Sequence, residues 1–134
     1  MGKIRHIAYR SEDVEAMANF FVQGLEMEIV QRRSNGAVDL TDGTLNITIL
    51  PMRIARGDGK VPRPGIEHIG FTVADEAATR QRLEALGATQ MNRIDMGPVN
   101  YEVKYTGIEN IEIDLGHWAG AAPIDPKQSA PAHA

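Results

Sequence analysis

The chain says almost the same thing twice. RHIAYRSEDVEAMANFFVQGLEMEIVQ begins at Arg5, and EHIGFTVADEAATRQRLEALGATQMN begins at Glu67. Each stretch sets one histidine, His6 or His68, inside a short apolar run, then follows it with helix-like periodicity and a further strand-like segment. A duplicated supersecondary unit restricts the fold more than composition does, because each copy must bury its apolar face with the help of its neighbour.

In the first copy, Ile4 to Arg10 reads as a strand, and Ser11 or Asp13 can cap a helix whose apolar stripe is Val14, Met17, Ala18, Phe21 and Leu25. Met27 to Arg33 and Ala37 to Thr41 read as strands, and Asp42-Gly43 is a hairpin signal leading into TLNITIL. The segment from Pro51 to Gly65 is rich in Gly, Pro and Arg, as a linker is. The order then repeats: a strand at 66–73, a helix capped by Asp75 and ending near Gly87, then strands at 88–95, 100–106 and 111–115, with Gly97-Pro98 as a turn. The pattern predicts an α+β fold of two tandem βαβββ modules, 1–51 and 65–118, joined by a linker at 52–64. Their curved mixed sheets enclose a cleft, and the helices lie on the outer face. Residues 119–134, small and proline-dotted, read as a flexible tail.

Strand alternation assigns faces. Ile7, Tyr9, Ile69 and Phe71 belong to the helix side, so His6 and His68 point into the cleft beside Ala8 and Gly70. In the last strand, Ile111, Ile113 and Leu115 share one face, and Glu112 and Asp114 share the other. Two imidazoles and a carboxylate then converge from three strands. Without partners their burial would be costly, and a divalent ion satisfies them. On 100–106, Tyr101, Val103 and Tyr105 share one face and Glu102 and Lys104 the other, and the pattern does not say which lines the cleft.

Strand-His-helix-three-strands, written twice, with FFVQGLEMEIV after the first helix and YEVKYTGIENIEIDLGHW at the end, resembles the vicinal oxygen chelate superfamily. That superfamily takes in glyoxalase I, extradiol dioxygenases, fosfomycin-resistance transferases, methylmalonyl-CoA epimerase and bleomycin-binding proteins. The resemblance implies that His6, His68 and Asp114 hold one divalent transition metal (Fe2+, Mn2+, Zn2+, Ni2+ or Co2+), with Glu112 as the fallback ligand or an acid/base group. It also implies a small-molecule substrate with vicinal oxygens, in ring-cleaving dioxygenase or lyase/isomerase chemistry; the alternative is a metal-free drug- or metabolite-binding protein of the bleomycin-resistance type. Tyr101 and His117 are weaker catalytic candidates, His117 lying just past the last strand. Where glyoxalase I and the epimerase carry Glu or Gln on the fourth strand, this chain offers only Asn46 and Thr48 to the cleft, which argues against standard glyoxalase I chemistry. Glu26, where relatives commonly carry Gly, bears on helix termination.

Composition removes other classes. With no cysteine, there is neither a disulfide framework nor a thiolate site. A net charge of −4 leaves no basic footprint for nucleic acid, and no run approaches a membrane span. The expectation is a cytoplasmic protein, and exposed sheet edges suggest a homodimer.

Overall fold

The computed structural model describes residues 1–56, 59–95 and 101–117, without the side chains of 92–95, 101–102 and 117. Its order is β1 (Lys3–Ser11), α1 (Val14–Leu25), β2 (Glu28–Arg32), β3 (Val38–Thr41), β4 (Asn46–Pro51), β5 (Gly65–Thr72), α2 (Glu76–Ala85), β6 (Thr89–Asp95), β7 (Tyr101–Thr106) and β8 (Glu112–His117). The fold is α+β, built from two βαβββ modules. The expected turn at Gly97-Pro98 and the expected tail at 119–134 lie outside the described residues. The last strand runs two residues further than the pattern suggests, so His117 is its final residue, paired with Tyr101.

All eight strands join in one mixed sheet, ordered β2-β3-β4-β1-β5-β8-β7-β6. The first strands of the two modules, β1 and β5, pair antiparallel at its centre. Each module also pairs its first strand with its last in parallel, β1 with β4 and β5 with β8. The central positions therefore fall to the two histidine-bearing strands and the two that flank them.

Both helices start where the sequence marks them. Asp13 caps α1 by accepting from the Ala16 N–H at 3.0 Å, and Asp75 caps α2 by accepting from the Ala78 N–H at 3.0 Å. Each cap satisfies one donor that a helix start leaves over, worth about 1 kcal/mol. At the other end of α1, Glu26 adopts the left-handed conformation, with φ of 57°, that glycine usually supplies.

The apolar core lies on the helix side of the sheet. Val14, Met17, Ala18 and Phe21 of α1 pack on Val38, Leu40, Ile47 and Ile49, and each such side chain removed from water stabilises the fold by roughly 1.5–3 kcal/mol. In the second module, Val103, Tyr105 and Leu115 pack with Phe71, Leu83 and Ile113. The Tyr105 hydroxyl donates to Glu84 at 2.9 Å and accepts from Arg80 at 3.0 Å, both on α2. This settles β7: its Val103–Tyr105 face meets the helix, so Lys104 faces the other side.

Candidate metal centre

The opposite face carries polar residues that are nevertheless buried: His6, Asn46, Thr48, His68, Lys104 and Asp114. His6 Nε2 lies 3.2 Å from His68 Nε2, and Asp114 Oδ2 lies 3.4 Å from the first and 3.1 Å from the second. The three residues predicted as ligands thus meet at one point, from β1, β5 and β8. Ligand atoms held about 2.1 Å from a single divalent ion, at angles of about 90–110°, stand about 3.0–3.4 Å from one another. The observed triangle has that size. Neither carboxylate–imidazole contact has hydrogen-bond geometry, so Oδ2 is a buried acceptor with no donor among the described residues. The donor set fits a divalent transition ion.

The closeness depends on two features of the backbone. Gly70 lies between the ligands; a Cβ there would stand 2.6 Å from His6 Cε1 and 2.7 Å from Asp114 Oδ1. The second feature is a pair of bulges in the β1–β5 ladder. Ile4 pairs with Phe71 but His6 with Gly70, so Arg5 is an extra residue on β1; Ala8 pairs with His68 but Tyr9 with Ile66, so Glu67 is an extra residue on β5. In both modules the extra residue immediately precedes the histidine. A bulge breaks strict alternation and re-aims a side chain.

Arg5 shows the result. It is fully buried, and its guanidinium donates to Asp114 Oδ1 at 2.6 Å. Gly116 leaves it room, since a Cβ there would come within 2.1 Å of Arg5 Nη2. With Oδ1 held by Arg5, Oδ2 is the oxygen left facing the imidazoles. Glu67 accepts from Arg10 and is ion-paired with Arg56 at 3.3 Å, and its Oε2 stands 3.9 Å from His68 Nδ1. Lys104 Nζ stands 3.5 Å from the same nitrogen. Arg10 also donates to the carbonyls of Pro51 and Ile54, tying the linker to β1.

Burial pushes the His6 imidazole down to about 4, against the pull of the Asp114 carboxylate. Burial also works against ionisation of Asp114, but attraction from His6 and then His68 holds its carboxyl well below the usual range. Near neutrality this gives a neutral imidazole and an ionised carboxylate, the forms that ligate metals.

The other candidates fall elsewhere. Glu112 shares the face of Asp114 but is ion-paired with Arg56, at the edge of a cavity of about 560 Å³ that Lys60, Arg63 and Glu67 also line. Tyr101 and His117 face each other across β7 and β8, and their side chains lie outside the described residues. Alternation pointed to neither Arg5 nor Glu67, because nothing in RHI or EHI announces a bulge. The one available signal was a charged residue before the histidine in both repeats. Thr48, on the strand where some relatives carry a carboxylate, donates to Asp39 at 2.6 Å, and Asp39 is further held by Arg33 and Gln31.

Among solved structures, a hypothetical protein from Bacillus halodurans C-125 superposes with a TM-score of 0.69 at 15% identity, covering 92% of this chain and 99% of that one. The 2,3-dioxygenase LapB from Pseudomonas sp. KL28 gives a TM-score of 0.63 at 21% identity; it covers 84% of this chain, which spans 39% of the dioxygenase. Methylmalonyl-CoA epimerase from Mycobacterium tuberculosis gives 0.63 at 16% identity, covering 84% of this chain and 85% of the epimerase. At these identities the likeness is one of fold. No curated protein matches the sequence. The profile of the Glyoxalase/Bleomycin resistance protein/Dioxygenase superfamily matches residues 3–105, the greater part of the chain, from β1 through most of β7 and short of β8, and the chain belongs to that superfamily.

Proposed function

We propose that the protein is a mononuclear metalloenzyme in which His6, His68 and Asp114 hold one divalent transition ion, either Fe2+ or Mn2+ for ring-cleaving dioxygenase chemistry or Zn2+, Ni2+ or Co2+ for lyase or isomerase chemistry. The supporting observation is the buried triangle of two imidazole nitrogens and one carboxylate oxygen, with sides of 3.1–3.4 Å. When bound, such an ion supplies a Lewis acid for two neighbouring oxygens of a small substrate.

The chain's own residues set the conditions. Arg5 fixes the rotation of the Asp114 carboxylate and keeps a permanent positive charge beside the reaction space. Glu67 Oε2, 3.9 Å from His68 Nδ1, is the acceptor toward which that N–H would point when Nε2 binds the ion; such outer carboxylates orient ligands and tune their basicity. Complete burial of the triad excludes bulk water, so developing charge is stabilised in a low-dielectric setting. Glu112, on the ligand face and at the cavity edge, is the proposed acid/base group, with Tyr101 and His117 as further candidates. The protein acts as a cytoplasmic homodimer in this reading, and light scattering tests the dimer.

Protein purified without chelator or histidine tag is expected to carry close to one transition-metal equivalent per chain, and His68→Ala is expected to lose it. Undiminished metal in that variant removes His68 from the site. Oxygen uptake with a catechol panel, set against isomerisation of a thiol hemithioacetal, separates the two chemistries. Activity that survives complete metal removal would favour neither.

A further inference from the structure

On the ligand face Asn46 is the buried side chain, among the described residues, of which every polar atom lacks a hydrogen-bond partner. Its side chain is fully buried, yet neither Oδ1 nor Nδ2 has a hydrogen-bond partner among the described residues. Its neighbours are provided for. Thr48, two residues on, donates to Asp39, which also accepts from Arg33 and Gln31. The repeat supplies a second comparison. Asn46 is level with His6 on paired strands, and Glu112 stands two residues before Asp114 as His68 stands two before Gly70, its pairing partner. Glu112, in the equivalent place, is ion-paired with Arg56. A buried carboxamide lacking both kinds of partner is costly to the fold, and such groups are rare enough to call for a cause.

Ile47 and Ile49 pack toward α1, so Asn46 projects to the opposite face, beside His6. Neighbouring strands lie about 4.7–4.9 Å apart, so side chains on one face at the paired positions His6 and Asn46 are within reach of one another.

We propose that Asn46 is a substrate-binding residue of this site, and that the molecule it recognises carries an N–H beside its chelating oxygens, as a hydroxamate does, so that the N–H donates to Oδ1 while a free lone pair of an oxygen accepts from Nδ2. A plain catechol or dicarboxylate would satisfy at most half of the carboxamide. The proposal rests on the metal-site reading above.

The test uses the full-length protein loaded with Co2+, whose visible spectrum reports ligand binding, and two probes: acetohydroxamate and catechol. Asn46→Leu, similar in shape and apolar, is expected to bind Co2+ as the parent does and to bind catechol within about threefold, but to bind acetohydroxamate about tenfold or more weakly, the worth of one to two hydrogen bonds. Without metal or probe, Asn46→Leu is expected to unfold at the same temperature or higher, since it removes an unsatisfied group. Asn46→Ala, which cannot overpack the site, shows the same loss of hydroxamate affinity.

Equal acetohydroxamate affinity in the parent and both variants overturns the proposal while leaving the metal site standing. So does a lowered unfolding temperature in both variants, which would show that the carboxamide serves the fold. A parent protein that binds no Co2+ removes the metal reading and this proposal together.

Discussion

Gly70→Ala adds a single methyl group between the His6 and Asp114 side chains of the site, where there is no room for it. Gly70 does not have the positive φ that would itself exclude alanine, so the substitution tests space alone. The new Cβ would stand 2.6 Å from His6 Cε1, 2.8 Å from His6 Nδ1 and 2.7 Å from Asp114 Oδ1. Carbon atoms attract best near about 3.5–4.0 Å, so the ring and the carboxylate must each give way by roughly 0.5–1 Å. Both sit on a face where side chains are already close-packed, and overpacking of this kind costs about 1–3 kcal/mol. Metal sites tolerate errors in ligand distance of about ±0.2 Å, so the displacement is several times the tolerance. Metal affinity is expected to fall by about 10–100-fold or more, the range seen when ligand orientation is disturbed. Competition with a chromophoric chelator measures the affinity, and urea denaturation measures the stability. Gly24→Ala is the control: beyond its chain neighbours and the backbone of its own helix nothing lies within 4 Å of its would-be Cβ, it is on the exposed side of α1, and it is expected to stabilise by about 0.5–1 kcal/mol without changing metal binding. Full metal affinity and unchanged stability in Gly70→Ala would refute the idea that the ligands meet as closely as described.

Two further outcomes follow from the electrostatics. Arg5→Met strips the buried Asp114 of its guanidinium partner and is expected to destabilise the metal-free protein by about 3–5 kcal/mol in urea titrations, part of which a saturating divalent ion restores; equal sensitivity with and without the ion counts against it. For pH, the folded His6 value of about 4 lies below the ordinary 6.5, so between those values the unfolded chain binds more protons. Stability of the metal-free protein is therefore complete above about pH 6.5 and declines as pH falls toward 4, where depression of Asp114 acts in the same direction. Thermal unfolding followed across that range checks the sign, and a melting temperature that rises on acidification refutes it.

Much of this arrangement was legible in the sequence because it follows period-two and helical spacing. The duplication, the Asp75 cap and the helix-facing isoleucines of TLNITIL all follow from those patterns, and so does the assignment of His6, His68 and Asp114 to a shared face; of the two caps offered for α1, Ser11 and Asp13, the structure uses Asp13. Glu26 was legible as a departure at the end of α1, and its left-handed φ bears that out. What alternation could not supply was anything set by an insertion in the ladder. Arg5 and His6 are neighbours and both are buried, which a regular strand facing an apolar layer on one side would forbid for an arginine. The face of β7 was undetermined for a related reason: a tyrosine pair and a Glu-Lys pair can each sit against a helix, and only the Tyr105 contacts with Arg80 and Glu84 decide it. Glu112 and Asp114 also look alike in IEIDL; Arg56, from the linker, is what draws one of them aside.

The register of the two halves has a consequence for reactivity. Thr48 stands across from Ala8 just as Asp114 stands across from Gly70. A perfectly symmetrical duplicate would offer an ion two histidines and two aspartates, a fuller protein shell with fewer open positions. In the proposed metal site, a hydroxyl that turns away to Asp39 would leave the ion one protein ligand short of that shell, and this irregularity between the copies is what would leave a coordination position for a guest.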